Sequence, residues 1–448
     1  MANINAIQVW NAMPSGFLSE LPRFYCYSSE SVVGMCFEAA EQVIQFSNQL
    51  YYSSIGYPSL RVLNATTTEI EKMANLWARW KIVTCLILNV LRNVIVTASD
   101  DFTLAVYTLS TGQPKLTLTG HEGGIWSLSS VSYDGQNLLI SGSTDKTVRI
   151  WDLTSGKCLH VFRGHSSTVR CLEVASPIWI DSKMDVENVC SQSPLIITGS
   201  RDKSVKVWSI PGKDEPSFVA DEDLNVKENP YHLLDLTGHT DSVRSLSAHG
   251  RTAVSGSYDK TARIWDIVTG ECRHVLTGHK DKIYVVVYDP IRDQVYSSGM
   301  DGTINIWSAT SGTCLHTLTG HMSLIGLLEL SSSSDPSPYL VSGCADATLK
   351  VWNPTTGDLV HTLTGHPSAI TSFHHDGKRV LAGGDSILRM WDIQTGTVVK
   401  DLLEGVTSIW KVAFDGQWGV CAYAKRDERG LGQSMLDIWD FGSNDPKL

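Results

Sequence analysis

The sequence predicts an all-β fold, a propeller-like ring of eight similar sheets, and three observations predict it. Gly-His pairs recur, ending at His121, His165, His239, His279, His321 and His366. Each is followed by a strand-like apolar segment and a small-residue turn ending in Asp. A second β run then closes on an aromatic, at Tyr107, Trp151, Trp208, Trp265, Trp307, Trp352, Trp391 and Trp439, at spacings of 39 to 57 residues.

A repeat of about 40–45 residues marked by Gly-His and Trp-Asp is the signature of WD repeats. The longer intervals read as loops: 175–194, 211–230 with six acids against two lysines, and the Ser/Pro-rich tip 331–338. The acidic stretch reads as a solvated surface loop. One four-stranded unit cannot bury both of its faces. Radial stacking around an axis buries them and leaves only short edges. Eight closing aromatics imply eight blades. The first repeat lacks Gly-His before Lys81–Leu88 and the last has Glu404-Gly405 instead, so a seven-bladed ring with one repeat discarded is the alternative.

The expected organisation is an N-terminal segment 1–79, a propeller 80–442 and a tail 443–448. The N-terminal segment reads as partly helical, over Cys36–Leu50 and Thr66–Lys81, with Leu60–Leu63 as a candidate outer strand that closes the ring. The net charge of −11 gives the whole chain no attraction for nucleic acid or an anionic membrane, so any anion site must be a local basic cluster. The most apolar run, Ile82–Val96, is interrupted by Asn89, Arg92 and Asn93, and no stretch reads as a membrane span. Of ten cysteines, Cys158, Cys272 and Cys314 share one repeat phase. Equivalent positions on separate blades are too far apart to bridge, which points to free thiols in a reducing compartment, the nucleus and/or cytoplasm. Their Cys-x-His pattern is a repeat element rather than a set of zinc half-sites.

The histidines belong to the same logic. His121, Ser141, Asp145 and Trp151 recur as His239, Ser255, Asp259 and Trp265. Such a set forms a buried chain in which the Asp accepts from the His, the hydroxyl bridges and the indole N–H donates. A catalytic triad would not repeat in nearly every blade. No unrepeated nucleophile–base pair, metal-ligand set or phosphate-cradling glycine loop stands out, so neither an enzyme nor a cofactor is expected.

Function is expected on the rim, where two positions per repeat present variable side chains. The first, five residues after the Gly-His histidine, reads Trp126, Arg170, Arg244, Tyr284, Gly326 and Thr371, with Thr84 and Trp410 in the degenerate repeats. The second, just before the turn Asp, reads Asp100, Thr144, Arg201, Tyr258, Met300 and Ala345. Arg170, Arg201 and Arg244 therefore fall in adjacent blades, flanked by aromatics, with hydroxyls at Thr144, Ser167 and Thr168. A phosphate carries nearly two charges and three acceptor oxygens, which the planar, multi-donor guanidinium suits. An aromatic wall suits a proline ring or aliphatic side chains beside it. The competing reading is that the arginines are solvated charges or pair with the turn acids, in a scaffold that binds protein partners without phosphate.

The segments GHEGGIWSL (120–128), SGSTDKTVRIWD (141–152), GHSSTVRCLEV (164–174), TGSRDKSVKVW (198–208), ENPYHLLDLTGHTDSVRSLSAHG (228–250), SGSYDKTARIWD (255–266), GHKDKIYVVVYD (278–289) and SIWKVAFDG (408–416) carry a resemblance. Over residues 80–442 the chain resembles the F-box/WD-repeat substrate receptors of SCF (cullin–RING) ubiquitin ligases, of the fungal cell-division-control type. The resemblance implies an eight-bladed propeller that binds phosphodegrons, phosphothreonine or phosphoserine followed by proline. It implies phosphate binding by Arg170, Arg201 and Arg244, and contact with the proline by Trp126, Thr144 and Thr168. Tyr258, Tyr284, Met300 and Leu324 would line an apolar pocket, with Trp410 at its edge. Lys146 stands where the family often has Arg, which keeps the charge and loses the bidentate fork. The implied partners are phosphorylated protein substrates, joined by the F-box adaptor and cullin if an F-box is present or supplied. Within residues 1–80 only Phe17-Leu18-Ser19-Glu20-Leu21-Pro22 echoes an F-box, without the Leu/Ile run that should follow.

Overall fold

The computed structural model describes residues 82–175, 193–221, 226–331, 338–426 and 432–441. All of these lie in the second of the chain's two units, Lys72–Leu448. The expected helices at Cys36–Leu50 and Thr66–Lys81 and the strand at Leu60–Leu63 lie outside the described residues.

The described residues form eight sheets, antiparallel and laid down in chain order from the axis outward except for one added edge strand on the second. Their innermost strands are Val83–Asn89, Ile125–Tyr133, Val169–Ala175, Val243–His249, Ile283–Asp289, Ile325–Leu330, Ser372–His375 and Ser408–Phe414, which define blades 1 to 8. Each innermost strand packs against the next, and Ser408–Phe414 packs against Val83–Asn89. The ring closes through all eight, which rules out the seven-bladed alternative. The eight aromatics of the repeat all sit on third strands, from Tyr107 in Leu104–Thr108 to Trp439 in Gly432–Asp440.

Residue choice explains the stacking. Second strands such as Val94–Ser99, Leu195–Ser200 and Thr252–Ser257 are buried throughout, because sheets cover both faces. Outer strands alternate instead, and expose Val275, Leu315 and Leu359. The core is a set of clusters, many spanning neighbouring blades. One joins Ile197, Val205 and Val207 of blade 3 to Val243, Leu246 and Trp265 of blade 4. Small polar groups tie innermost strands across the same seams: Ser245 accepts from Val286 N at 3.2 Å, Ser372 accepts from Val412 N at 2.9 Å, and Thr371 donates to Ile409 O at 2.6 Å.

The acidic stretch 211–230 departs from the solvated loop expected of it. Phe218–Val219 adds a fifth strand to blade 2, parallel to its outer strand Cys158–Phe162. Phe218 and Tyr231 pack on Phe162, with ring centroids at 6.4 and 5.3 Å. Apolar contact and edge pairing anchor the stretch, while its acids Asp214, Glu215, Asp221 and Glu228 stay exposed. The edge strand of blade 2 is thereby covered.

Candidate functional site

The buried network forms as the sequence predicts. In blade 2, Trp151 Nε1 donates to Ser141 Oγ at 2.8 Å, Ser141 meets His121 Nε2 at 2.8 Å, and His121 Nδ1 meets Asp145 at 2.7 Å. Asp145 also accepts from Glu122 N at 3.0 Å and Thr147 Oγ1 at 2.7 Å. Burial opposes ionisation of Asp145, yet the hydrogen bonds from His121, Thr147 and Glu122 outweigh it and hold the carboxyl below the usual range. Burial also pushes the His121 ring down, so the resting pair is a carboxylate and a neutral imidazole. The set recurs around His165, His239, His279 and His321, with Thr198 replacing the serine in blade 3. It is scaffolding. It engages the turn acids Asp145, Asp202, Asp259, Asp301 and Asp346.

Blade 6 shows why ligand-like clusters here are structural. His321, Cys344 and Asp346 lie within 4.8 Å of one another, a grouping that could suggest a metal. Cys344 occupies the place of Ser143 in blade 2, however. Its thiol donates to Ser323 O at 3.3 Å and accepts from Asp346 N at 3.4 Å, as Ser143 does with Gly123 O and Asp145 N. Burial pushes this thiol up to about 12, so it keeps its proton.

The same turns place the rim. The backbone N–H of the second rim position bonds to a carbonyl at the start of the innermost strand of its own blade: Thr144 to Gly124, Arg201 to Thr168, Tyr258 to Ser242, Met300 to Lys282 and Ala345 to Leu324, at 2.8 to 3.0 Å. That bond locks the two rim positions together in each blade. Gly123 leaves the room this needs in blade 2, since a Cβ there would lie 2.8 Å from Asp145 N and against Thr144 Oγ1. Arg170 and Arg201 thus share blade 3 and Arg244 belongs to blade 4. The three arginines occupy two adjacent blades.

Four ring and guanidinium contacts run across blades 2 to 5. The Arg170 guanidinium lies over Trp126 at 5.7 Å and donates from Nη1 to Tyr258 Oη at 3.3 Å. Tyr258 packs on Tyr284 at 5.2 Å, and Arg244 lies over Tyr284 at 5.9 Å. Each guanidinium lies over a ring face, which orients its plane. Arg244 has no carboxylate partner among the described residues. Arg201 is exposed on the rim of blade 3.

The remaining predicted positions lie around this line. Met300 is exposed, and Leu324, Thr144 and Ser167 are half-buried beside the turn bonds just described. Trp410 sits on blade 8 in the phase of Arg170. Thr168 is largely buried and offers its carbonyl to Arg201 N, so its side chain is less open to a ligand than its position suggests. Lys146 is exposed and left-handed (φ 71°), as are Lys203 and Lys260 at the same turn position of blades 3 and 4 (φ 75° and 71°). Two basic residues escaped the two-position reading. Lys282 Nζ lies 4.7 Å over Tyr258. Lys411 follows Trp410 on the innermost strand of blade 8. A third position per repeat, two residues before the first, would have found Lys282.

Six segments of the chain, 112–152, 156–209, 231–266, 270–308, 312–353 and 357–392, match the WD domain, G-beta repeat model. The chain belongs to the WD-repeat family. It is 42% identical over 364 residues to cell division control protein 4 of Candida albicans, covering 81% of this chain and 52% of that protein. It is also 42% identical over 367 residues to WD repeat-containing protein pop2 of Schizosaccharomyces pombe, 81% and 50% respectively. Cell division control protein 4 of Saccharomyces cerevisiae is 35% identical over 384 residues, 80% and 46%. The chain spans about half the length of the relatives it matches. Among solved structures, the computationally designed Ika8 protein superimposes with a TM-score of 0.62 at 26% identity, over 81% of this chain and 96% of that one. The protein is thus a WD-repeat propeller whose repeats are similar to those of cell division control protein 4. The family model leaves out most of blade 1 and all of blade 8, the two repeats whose marks are degenerate.

Proposed function

We propose that this propeller is a non-enzymatic recognition module that binds phosphorylated Ser/Thr-Pro segments and selects the proteins bearing them for SCF-type ubiquitination. One observation carries the reading: Arg170, Arg201 and Arg244 stand on two adjacent blades of one rim, and ring faces orient two of them. Like charges held together favour a dianion, and each charge-assisted bond contributes on the order of 1.5–3 kcal/mol. Trp126 beside Arg170 offers a flat apolar face for the proline ring, and Tyr258 and Tyr284 offer apolar surface on the other side. An unphosphorylated segment lacks the charge the arginines require, so the site would convert kinase activity into binding. The resemblance to cell division control protein 4 and pop2 supports the ligase role, which would operate in the nucleus or cytoplasm.

Calorimetry on the full chain with matched Leu-x-phosphoThr-Pro and unphosphorylated peptides tests the first half. Tight binding of the phosphorylated form alone is expected. Equal affinity for both, or tight binding of an acidic unphosphorylated partner, would replace it with a phosphate-independent scaffold. Co-purification with the F-box adaptor and cullin tests the second half.

A further inference from the structure

Blades 1 to 4 differ in charge where they turn over the rim. The residue after the turn Asp is left-handed in all four: Phe102, Lys146, Lys203 and Lys260 in order, with φ between 71° and 75°. Blades 2 to 4 thus carry an exposed lysine at this point and blade 1 does not. Blade 1 carries an acid instead. Asp100 holds its second rim position, and no other rim position named above bears a carboxylate.

Three bonds fix Asp100. Its N–H donates to Ile82 O at 3.2 Å, and its Oδ1 accepts from Ile82 N at 3.0 Å and from Ser99 Oγ at 3.3 Å. Both side-chain bonds end on Oδ1, which leaves Oδ2 open. No cation pairs with the carboxylate among the described residues. The acid stands beside Trp126. A Cβ on Gly124 would lie 3.7 Å from Asp100 Cβ and 3.5 Å from Trp126 Nε1, so the acid and the indole edge bracket one point on the rim. The Arg170 guanidinium lies over the same indole at 5.7 Å. Trp126, on blade 2, therefore separates a carboxylate on blade 1 from the arginines on blades 3 and 4. Burial, with Asp101 beside it, pushes the Asp100 carboxyl up to about 6. It is charged at neutral pH in a place that disfavours charge, and a cation would relieve that.

A segment whose phosphate meets the arginines and whose proline lies on Trp126 runs from blade 3 toward blade 1. An extended chain advances about 3.3–3.6 Å per residue, so its next one or two residues come over Asp100. We infer that Asp100 reads these residues: its carboxylate, on the far side of Trp126 from the arginines, takes the ammonium or guanidinium of a Lys or Arg one or two places past the proline. This rests on the phosphopeptide reading above and gives it a polarity, with phosphate at one end and base at the other. A long basic side chain suits the place because its stem spans from the peptide backbone to Oδ2, where its N–H donors meet the open lone pairs.

The test uses the full chain and calorimetry with three peptides, Leu-x-phosphoThr-Pro followed by Lys-Lys, Ala-Ala or Glu-Glu. The wild type is expected to bind the Lys-Lys peptide about fivefold tighter than Ala-Ala, and Glu-Glu more weakly than either. D100N removes the charge and keeps an oxygen for Ile82 N, so it should bind Lys-Lys and Ala-Ala within about twofold of each other. Equal affinity of the wild type for Lys-Lys and Ala-Ala would overturn the inference whatever the variant does, and would leave the phosphopeptide reading intact. A preference for Lys-Lys that survives in D100N would assign it to the net charge of −11 and overturn the inference as well. A wild type that binds the Ala-Ala peptide equally with and without its phosphate would overturn both.

Discussion

Blades 4 and 7 share one architecture and differ in almost every polar feature. Blade 4 carries the whole buried network: Trp265 to Ser255 at 2.8 Å, Ser255 to His239 at 2.7 Å, and His239 to Asp259 at 2.8 Å. Its rim bears Arg244 and Tyr258. In blade 7, Ala382 stands where the serine would be, and the turn is one residue shorter, so no Asp reaches the histidine. His366 is left buried with neither ring nitrogen bonded. The rim there bears only Thr371, whose hydroxyl is spent on backbone carbonyls. Both blades nevertheless pair and pack alike, with Trp265 and Trp391 equally buried. The apolar stack makes a blade, the network stiffens it, and the rim chemistry varies independently of both.

The largest effect should come from removing the charges that blade 4 and its neighbour blade 3 have and blade 7 lacks. Loss of Arg170 and Arg244 together should weaken phosphopeptide binding about a thousandfold, near 4 kcal/mol from two charge-assisted contacts. Circular dichroism should show the fold unchanged, and a loss under tenfold would contradict the assignment. Next is the network. Asp259 accepts from His239, from Thr240 N at 2.9 Å and from Thr261 Oγ1 at 2.6 Å. D259A should cost about 3 kcal/mol in urea unfolding. The exposed acid of the blade 7 turn, changed as D385A, should cost under about 0.5 kcal/mol. Equal costs would mean that the network is not what distinguishes the blades.

The smallest effect concerns His366 itself. Burial, with help from Arg389, lowers its ionisation to about 4. The unfolded chain would take up that proton near 6.5, so acidification from about 6.5 toward 4 favours unfolding through this group, and below about 4 the difference is constant. H366L should remove this component and flatten the stability profile across that window. It should also add roughly 1 kcal/mol at neutral pH by deleting an unsatisfied buried polar group. A profile parallel to the wild type would show that the ring finds partners in solution.

Much of this was legible from the chain alone. Repetition gave the fold, because one blade cannot bury its own faces and a residue that recurs at one phase must recur at one place. His121, Ser141, Asp145 and Trp151 could therefore be recognised as scaffolding before any coordinates. The rim was legible for the same reason at Trp126, Arg170, Arg244, Tyr258 and Tyr284. Where repeats break register, the reading weakened. The acidic stretch at 211–230 looked solvated because its charge outnumbers its few rings, and strand pairing by Phe218–Val219 depends on an edge supplied by a different blade.

The sequence by itself determined the repeat, the eight closing aromatics and the residue types at the rim, since these depend only on local pattern and period. Tertiary structure alone decided three things. It closed the ring between Ser408–Phe414 and Val83–Asn89, a contact between the two most degenerate repeats. It put Arg170 and Arg201 on one blade, because the turn bond from Arg201 N to Thr168 O runs within a sheet whose strands are separated by a long insertion. It set blade 8, with Trp410, across the ring from Arg244 of blade 4, because that placement exists only once every blade is in place.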